Sequence, residues 1–329
     1  MSKSPTIKDI ELAAERLGDY PVNTPVLESD RINDQLNCRV LIKAENLQRT
    51  GSFKFRGAFN MMASLTQDQK ERGVVAYSSG NHAQGVAAAG KFLKIKSTIV
   101  MPSDAPKIKI NNTLSYGAKV VFYNRADGNR VRIAQEIIKK TGAKLIPPYD
   151  APEIIAGQGT LGLEFYNQIN TQNTELDYLL GPCSGGGLIA GSAIVFKEKN
   201  PDTLVYCVEP EGYDDTALSL KANKRLTVKT DINSFCDALL LETPGKLTFE
   251  INKKLLEGGL VVTQEETALA MKTAFEEFKI IIEPGGAVAL AAILTGKITA
   301  NRKVIGIICS GGNIDASTFK EILDGKYSA

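Results

Sequence analysis

The sequence predicts an α/β protein of two lobes, each with a mainly parallel sheet flanked by helices. Short apolar runs rich in β-branched residues recur along the 329-residue chain, and segments with helical apolar spacing lie between them. Alternation of strand and helix is typical of right-handed βαβ units with parallel sheets. The predicted strands are too many for one compact open sheet, which indicates two lobes.

Each predicted strand is a continuous apolar run, as expected where both faces of a sheet are covered. The strands occupy residues 40–43, 74–77, 98–101, 119–123, 144–146, 178–181, 204–208, 260–263 and 304–309. The clearest helices occupy residues 1–17, 83–93, 130–141, 187–199, 265–278 and 286–295. Ligands of such folds bind beyond the carboxyl ends of strands, in the loops that open helices, so functional residues are expected at those junctions.

Composition narrows the class of protein. A net charge of +2 without a long basic run gives no footprint for nucleic acid, although a small anion needs only a local site. No stretch approaches the roughly 20 apolar residues that cross a membrane, and residues 1–17 are polar and unlike a signal peptide. Five scattered cysteines without a CxxC pair are typical of reduced, buried thiols, so a cytoplasmic protein is expected.

The chain has a single histidine, His82. A Ser-His-Asp hydrolase or a poly-histidine metal centre would have to be built around that one residue. Acid–base chemistry would therefore fall mostly to lysine, serine, tyrosine or carboxylates. A lone histidine, taken without its neighbours, is most often a structural hydrogen-bonding residue.

The first informative junction contains Lys54, which lies between Phe53 and Phe55 in the first turn of a predicted helix. Partial burial and the positive end of the helix dipole both disfavour the charged amine. A neutral amine is the form that attacks an aldehyde cofactor. A surface lysine at a helix start is the alternative, and this segment alone does not decide between them.

Two further junctions predict anion sites. Residues 78–82, Ser-Ser-Gly-Asn-His, open a helix whose backbone N–H groups suit a substrate carboxylate, although an ordinary N-cap explains part of the pattern. Residues 184–187, Ser-Gly-Gly-Gly, let the backbone approach a phosphate closely. The same loop also matches a dinucleotide fingerprint through Gly185, Gly187 and Ala190, with Glu209 near the place of the ribose-binding acid.

The last two junctions are Glu283 to Ala287, which opens a helix of small residues, and Ser310 to Asn313, which follows the last strand. Each has an ordinary turn as its alternative. One such junction alone indicates little, but several glycine-bearing junctions of this kind in one chain indicate a functional site.

Together these stretches resemble the serine/threonine dehydratase and serine racemase group of fold-type II pyridoxal phosphate enzymes. The resemblance is carried by Ser52-x-Lys54-x-Arg56-Gly57-Ala58, by residues 78–84, by Pro147-Pro148-Tyr149-Asp150 and by residues 156–160. It implies a two-domain fold like that of the tryptophan synthase β subunit. Residues 1–71 and 149–329 would form a large cofactor-binding domain, and residues 72–148 a small mobile domain.

The resemblance assigns pyridoxal 5'-phosphate as cofactor and gives roles by position. Lys54 would hold the cofactor as a Schiff base and remove the α-proton, and Ser79 would be the second acid–base group on the opposite face. The other implied cofactor-binding residues are Phe53 and Ala238 beside the ring, Asn81 at its 3-oxygen, Ser184, Gly185, Gly186, Gly187 and Leu188 at the phosphate, Glu283, and Ser310 at the pyridine nitrogen. Many relatives have glycine where this chain has Ala238.

The resemblance also assigns the substrate and a metal. Ser78, Ser79, Gly80, Asn81 and His82 would hold the substrate carboxylate, and Tyr149 would face its side chain. Glu209, Asp215 and the Tyr213 carbonyl match a divalent-cation site of some relatives, and oxygen ligands favour Mg²⁺, Mn²⁺ or Ca²⁺. An exposed acidic loop is the alternative interpretation of that segment.

The expected reaction is β-elimination of water from L-threonine or L-serine, giving a 2-oxo acid and ammonia. A serine racemase and a 3-hydroxyaspartate ammonia-lyase use the same cofactor and stay open. The latter needs a cation near the substrate side chain, for which Arg56 and Arg130 are the possible residues. An NAD-dependent dehydrogenase and a non-catalytic amino-acid sensor are the alternatives from other classes. By resemblance a homodimer is expected, with no nucleic-acid or membrane partner.

Overall fold

The computed structural model describes residues 3–125 and 128–327, which contain two sheets. All nine predicted strands are present, and their bounds differ from the predicted ones by at most two residues. In chain order the strands are β1 Val26–Leu27, β2 Arg39–Ala44, β3 Val74–Tyr77, β4 Ser97–Pro102, β5 Lys119–Tyr123, β6 Lys144–Leu145, β7 Tyr178–Pro182, β8 Leu204–Pro210, β9 Gly258–Val262 and β10 Val304–Cys309. The sequence did not predict β1, because a two-residue strand has no measurable periodicity.

The six predicted helices are also present, among others that the pattern did not single out. The helices are α1 Ile7–Leu17, α2 Asp30–Leu36, α3 Lys54–Ala63, α4 Gln67–Arg72, α5 Asn81–Leu93, α6 Lys107–Ser115, α7 Arg130–Thr141, α8 Pro152–Asn170, α9 Gly187–Lys199, α10 Asp215–Lys221, α11 Lys246–Leu255, α12 Gln264–Phe278, α13 Pro284–Leu294 and α14 Ala316–Leu323.

The first helix is shorter than predicted. It begins at Ile7 because Thr6 and Asp9 form a capping box, in which the Asp9 carboxylate accepts from the Thr6 N–H at 2.7 Å. Met1 and Ser2, which the prediction included, lie outside the described residues.

The larger sheet has six strands in the order β1-β2-β10-β7-β8-β9, and all neighbours are parallel except β1 and β2. The smaller sheet has four parallel strands in the order β5-β4-β3-β6. Its strands all lie inside residues 72–148, the stretch assigned to a small domain. The exact domain bounds and the mobility of that domain stay predictions.

Helices cover the apolar faces of both sheets, which explains why the strands are continuous apolar runs. The largest buried cluster joins the larger sheet to α12, α13 and α14, and α13 is buried from Pro284 to Ile293. A second cluster joins α3 and α5 to the smaller sheet. The five cysteines are buried and unpaired, as predicted. Within the described ranges no helix has the length and apolar character needed to cross a bilayer.

Close packing against α8 fixes the position of α3, the helix whose first residue is Lys54. A Cβ atom on Gly157 would lie 2.6 Å from the Gly57 Cα, so the two helices approach at a contact that only glycine permits. The Gln158 Oε1 then accepts from the Gly57 N–H at 3.1 Å. The motif at residues 156–160 therefore positions the helix that carries Lys54.

Candidate active site

A cavity of about 380 Å³ opens at the carboxyl ends of β3, β7 and β10, where the sequence predicted the functional loops. Loops from both sheets line it. The predicted site residues that line this cavity are Phe53, Lys54, Ser78, Ser79, Gly80, Asn81, His82, Tyr149, Ser184, Gly185, Gly186, Gly187, Leu188, Ala238 and Ser310. The fold thus brings together segments that are widely separated in the sequence.

Lys54 is the first residue of α3 and lies half-buried in the cavity wall. Its Nζ donates to the Pro148 carbonyl at 2.8 Å and lies 5.0 Å from the centroid of the Phe53 ring. Burial lowers the pKa of Lys54 from 10.5 to about 8. That change raises the neutral fraction of the amine near pH 7 by roughly two orders of magnitude, so the side chain is suited to act as a nucleophile or a base.

The triple-glycine loop, residues 184–187, connects β7 to α9 and leaves backbone N–H groups open. Gly186 has φ +85°, and a Cβ atom on it would lie 2.7 Å from the Asn252 Nδ2. Among the described residues, no hydrogen bond uses the backbone N–H groups of Ser184 to Leu188. Donors left open at the start of a helix are the groups that bind a phosphate.

The loop is held from behind by α11. The Thr248 hydroxyl donates to the Gly185 carbonyl at 2.6 Å, which turns that carbonyl away from the cavity. Asp150 in turn caps α11, because its carboxylate accepts from the N–H groups of Lys246, Leu247 and Thr248 at 2.8 to 3.2 Å. Sequence reasoning noted Asp150 only as part of a motif and missed Thr248.

Tyr149 packs directly on this loop. A Cβ atom on Gly185 would clash with the Tyr149 ring, so only glycine fits beneath the ring. Burial raises the pKa of the Tyr149 hydroxyl, which therefore stays neutral in the cavity.

The second loop joins β3 to α5 and contains Ser78 to His82. The Ser78 hydroxyl accepts from the Gly80 N–H at 3.1 Å, which shapes the turn before the helix begins at Asn81. The His82 Nε2 lies 2.9 Å from the Ile146 carbonyl and therefore carries the proton. Burial lowers the pKa of His82 to about 3, so the ring is neutral. The side chain of His82 is therefore engaged in a structural hydrogen bond. Contact between the substrate and the backbone N–H of His82 stays a prediction.

Behind this loop lies a buried polar cluster that sequence reasoning missed in part. The Asn81 amide donates to Glu283, and the Asn313 amide donates to the Asn81 Oδ1 at 2.9 Å. The Lys109 Nζ lies 2.7 Å from Asp237 and 2.9 Å from Glu283. Glu283 itself does not line the cavity and reaches it through Asn81. No local motif marks Lys109, which lies on α6 and becomes important only through the tertiary contact.

The remaining predicted cofactor residues come from the larger sheet. Ser310 follows β10, is 6% exposed, and its carbonyl accepts from the Phe53 N–H at 3.1 Å. Ala238 lines the cavity and packs near Gly285, where a Cβ atom would lie 3.1 Å from the Ala238 Cβ. These contacts place a neutral hydroxyl and a small apolar residue on the cavity wall.

The predicted cation ligands lie outside the cavity lining. Glu209 is the last residue but one of β8 and accepts from the Thr216 and Ala217 N–H groups at 3.1 and 2.7 Å. Asp215 is buried, and within the described part of the chain neither of its carboxylate oxygens has a hydrogen-bond partner. Burial raises the pKa of both groups, that of Asp215 to about 7. Tyr213 lies between them in the chain, and its hydroxyl donates to the Ile232 carbonyl at 3.3 Å.

This acidic pair is not an exposed loop, since both carboxylates are fully buried. Residues 3–125 and 128–327 contain no group of three or more His, Cys, Asp or Glu side chains placed to hold a metal. A cation here would therefore depend on two carboxylates and on backbone oxygens. The burial of Glu209 also removes it from any contact with a ribose, which the dinucleotide alternative requires.

The two arginines that could bind an acidic substrate side chain differ in their surroundings. Arg56 is 1% exposed and forms ion pairs with Glu45 at 2.7 Å and Glu164 at 3.0 Å, so it is a structural residue. Arg130 lines the cavity, with its guanidinium carbon 5.6 Å from the centroid of the Tyr77 ring.

Comparison with known proteins agrees with the arrangement of Lys54 and the glycine-bearing loops around the cavity. The family described as "Pyridoxal-phosphate dependent enzyme" matches residues 18–311. The chain is 37% identical to the L-threo-3-hydroxyaspartate ammonia-lyase of Saccharomyces cerevisiae, covering 98% of this chain and 97% of that protein. It is 39% identical to the catabolic L-threonine dehydratase of Escherichia coli, covering 96% and 95%.

A serine racemase from Dictyostelium discoideum is 41% identical over 97% of this chain and 98% of the relative. The crystal structure of that organism's serine racemase superposes with a TM-score of 0.88 and covers 95% of this chain and 100% of the other. Relatives of three different activities are thus similar to this chain over nearly its whole length.

Proposed function

The chain belongs to the pyridoxal-phosphate-dependent enzyme family, and on that premise we propose that it eliminates water from L-threonine or L-serine, releasing ammonia and a 2-oxo acid. The observation that carries the proposal is one cavity lined both by the amine of Lys54, with its lowered pKa, and by the open N–H groups of the triple-glycine loop. A cofactor with an aldehyde and a phosphate needs an amine to react with the aldehyde and N–H donors to hold the phosphate.

The residues fit the cofactor. Ser184 to Leu188 would hold the phosphate through their backbone N–H groups, and Thr248 keeps the competing carbonyl of Gly185 turned away. Phe53 and Ala238 would bound the ring, and Asn81 would donate to its 3-oxygen. When bound, pyridoxal phosphate supplies an electron sink for the carbon that loses its proton.

Lys54 would hold the cofactor and then move the α-proton. Its neutral form is accessible near pH 7, which a general base requires. The N–H groups at the start of α5, from Ser79 to His82, would bind and orient the substrate carboxylate. Ser79 lines the same cavity and would serve as the second acid–base group, which makes racemisation of serine an expected side reaction.

Ser310 would favour elimination over transamination. A carboxylate beside the pyridine nitrogen would keep that nitrogen protonated, whereas a neutral serine hydroxyl has far too high a pKa to do so. Beside Ser310 the bound cofactor would store less charge on its ring, which would favour elimination of the β-hydroxyl. The protein side chain at this position thus selects among the reactions that the cofactor permits.

We further propose that Glu209 and Asp215, with the Tyr213 carbonyl, hold Mg²⁺, Mn²⁺ or Ca²⁺. The orphaned, buried oxygens of Asp215 support this, because a buried carboxylate without a partner is costly unless a cation compensates it. The ion would order the segment between β8 and α10 and take no part in the chemistry.

The central experiment replaces Lys54. Wild-type protein loaded with pyridoxal phosphate should show a visible absorption band and release ammonia from L-threonine or L-serine. Lys54→Ala should lose the band and reduce ammonia release by at least about three orders of magnitude, since nucleophile and base are removed together. Lys139→Ala, on an exposed face of α7, is the matched control and should behave as wild type.

A colourless wild-type protein that does not respond to added cofactor would contradict the proposal. Ammonia release should be compared across L-threonine, L-serine, D-serine and L-threo-3-hydroxyaspartate. Formation of D-serine faster than pyruvate, with loss of D-serine in Ser79→Ala, would instead identify a racemase.

A second candidate function is 3-hydroxyaspartate ammonia-lyase, which Arg130 favours. A β-carboxylate on the substrate needs a cation in the cavity wall, and Arg56 is already committed to Glu45 and Glu164. Arg130 lines the cavity on the side of Tyr77 and Tyr149. A guanidinium there can bind a carboxylate in a bidentate manner.

Arg130→Gln tests this second function. If Arg130 binds the β-carboxylate, kcat/KM for L-threo-3-hydroxyaspartate should fall roughly 10- to 100-fold, while that for L-threonine changes little, because a charge-assisted bond contributes about 1.5–3 kcal/mol. Arg132→Gln, an exposed change on the same helix, is the control. Equal losses for both substrates would exclude Arg130 as the residue that distinguishes them.

A further inference from the structure

We propose that Asn313 is a positioning residue that fixes which way round the Asn81 amide stands, so that one Asn81 N–H stays turned to the cavity. This inference rests on the proposed function, in which that N–H donates to the cofactor. It concerns a residue that touches neither cofactor nor substrate and acts through its neighbour.

The polarity of the contact follows from a backbone carbonyl. The Asn313 Nδ2 lies 2.8 Å from the Thr50 carbonyl oxygen and 2.9 Å from the Asn81 side chain. A carbonyl only accepts, so the Asn313 atom that faces it must be the amide nitrogen. The same nitrogen faces Asn81, and the Asn81 atom opposite it must therefore be the oxygen.

The contact at the other end of the Asn81 amide agrees with this orientation. Its nitrogen faces Glu283, which lies 2.9 Å from the ammonium of Lys109. Burial raises the pKa of Glu283, and the charge of Lys109 opposes that rise. A carboxyl group can become a donor by taking a proton, whereas the Thr50 carbonyl cannot. The decisive constraint on Asn81 thus comes through Asn313.

The consequence is that one N–H of Asn81 remains available to a ligand. The first N–H goes to Glu283, and the described residues give the second no acceptor. Asn81 lines the cavity and is 9% exposed. An amide turned over by 180° would present its oxygen where that N–H stands, and an oxygen would repel the phenolic oxygen of the cofactor.

Close packing prevents the side chains from rearranging. A Cβ atom on Gly51 would lie 2.5 Å from the Asn313 Oδ1, and one on Gly311 would clash with the Glu283 Oε1. The two glycines therefore let the backbone close around the amides. Thr50, Glu283 and Asn313 belong to the larger sheet's part of the fold, whereas Asn81 and Lys109 follow strands of the smaller sheet. The arrangement thus depends on both parts being in place.

The test is Asn313→Asp in the holoenzyme, which keeps the size but removes both N–H donors. The ionised carboxylate of this variant would draw the Asn81 amide round to donate to it. We expect the visible band of the bound cofactor to shift and the Kd for pyridoxal phosphate to rise roughly tenfold, the effect of one hydrogen bond. Asn313→Ala, which removes the donors without adding a charge, should shift both in the same direction.

Asn200→Asp is the matched control. Asn200 is also buried and donates to a backbone carbonyl, that of Leu176, at 3.4 Å, but it lies at the end of α9 away from the cavity. It should lose similar stability with no change in band or Kd. Wild-type band position and Kd in both Asn313 variants would overturn the inference, whereas a wild-type protein that binds no cofactor would overturn the proposed function itself.

Discussion

At the scale of single residues, environment rather than identity gives the site its chemistry. Lys54 is one of many lysines, yet burial beside Phe53 lowers its pKa to about 8, so that a neutral amine is accessible. Burial penalises the charged form of Asp215 as well, but for an acid this raises the pKa, here to about 7. Both residues therefore have one protonation state that the protein destabilises.

Asp215 leads to a prediction about pH and metal. Its pKa is raised on folding from 3.8 to about 7, so without a cation the folded state loses stability as pH rises through that interval. A divalent cation should restore this stability, and its affinity should fall as pH drops below about 7, where Asp215 takes up a proton. Thermal unfolding with and without Mg²⁺, Mn²⁺ or Ca²⁺ between about pH 5 and 8 measures both effects.

Asp215→Asn provides the comparison. The variant should be at least as stable as metal-free wild type near the upper end of that pH range and should lose the stabilisation by the cation. Asp214→Asn changes an adjacent carboxylate that is not a proposed ligand and should keep the cation effect. Equal cation responses in wild type and Asp215→Asn would refute the site.

At the scale of elements, the cavity is lined by helix starts, and other helices hold those starts in place. The start of α9 offers its N–H groups to the cavity, and α11 keeps the preceding loop in shape through Thr248. The position of α11 is set in turn by Asp150, which accepts three of its first N–H groups. Asp150 thus supports the triple-glycine loop without lining the cavity.

Asp150→Ala tests this indirect support. Loss of a side chain that accepts from the first N–H groups of a helix costs about 1 kcal/mol of unfolding free energy, and a displaced α11 should weaken cofactor binding by several-fold to about tenfold. Titration of apoprotein with pyridoxal phosphate and denaturant unfolding measure the two effects.

Ser29→Ala is the matched control, since Ser29 caps the remote helix α2 through the Ile32 N–H. It should lose comparable stability with unchanged cofactor affinity. If both variants bound the cofactor equally well, Asp150 would be an ordinary cap without influence on the site.

At the scale of the whole molecule, the active site requires contact between the two sheets' parts of the fold. The first turn of α6 makes that contact: Asp315 accepts from the Lys107 and Ile108 N–H groups at 3.3 and 3.1 Å, and Lys109 pairs with Asp237 and Glu283. The Lys109 stem also passes under the loop that joins β3 to α5, where a Cβ atom on Gly80 would lie 2.5 Å from it.

Lys109→Met should therefore be strongly destabilising. It leaves the fully buried Glu283 without its cation, and breaking a buried ion pair from one side typically costs about 3–5 kcal/mol. Denaturant unfolding measures the loss. Lys107→Met makes the same change at an exposed neighbour and should cost less than about 0.5 kcal/mol. Similar losses in the two variants would show that the buried pair contributes little.

Local patterns in the sequence located the strands, the helices and the loops that line the cavity. Strand runs and helix spacing are local properties, so nine strands were located to within two residues. Glycine runs and the polar cluster after β3 mark their loops for the same reason. The pattern could not find β1, because two residues have no period, and it placed the start of α1 too early.

Which side chains contact one another depends on segments that are distant in the sequence, and local patterns could not predict it. Arg56 and Arg130 look alike in sequence, but one is enclosed by Glu45 and Glu164 and the other lines the cavity. Lys109 lies in no motif, and the motif that contains Asn313 does not reveal its contacts, since both residues bond to partners about 170 to 260 residues away. Burial and hydrogen-bond geometry between distant segments have no local signature, and these quantities set pKa values, amide orientation and access to the cavity.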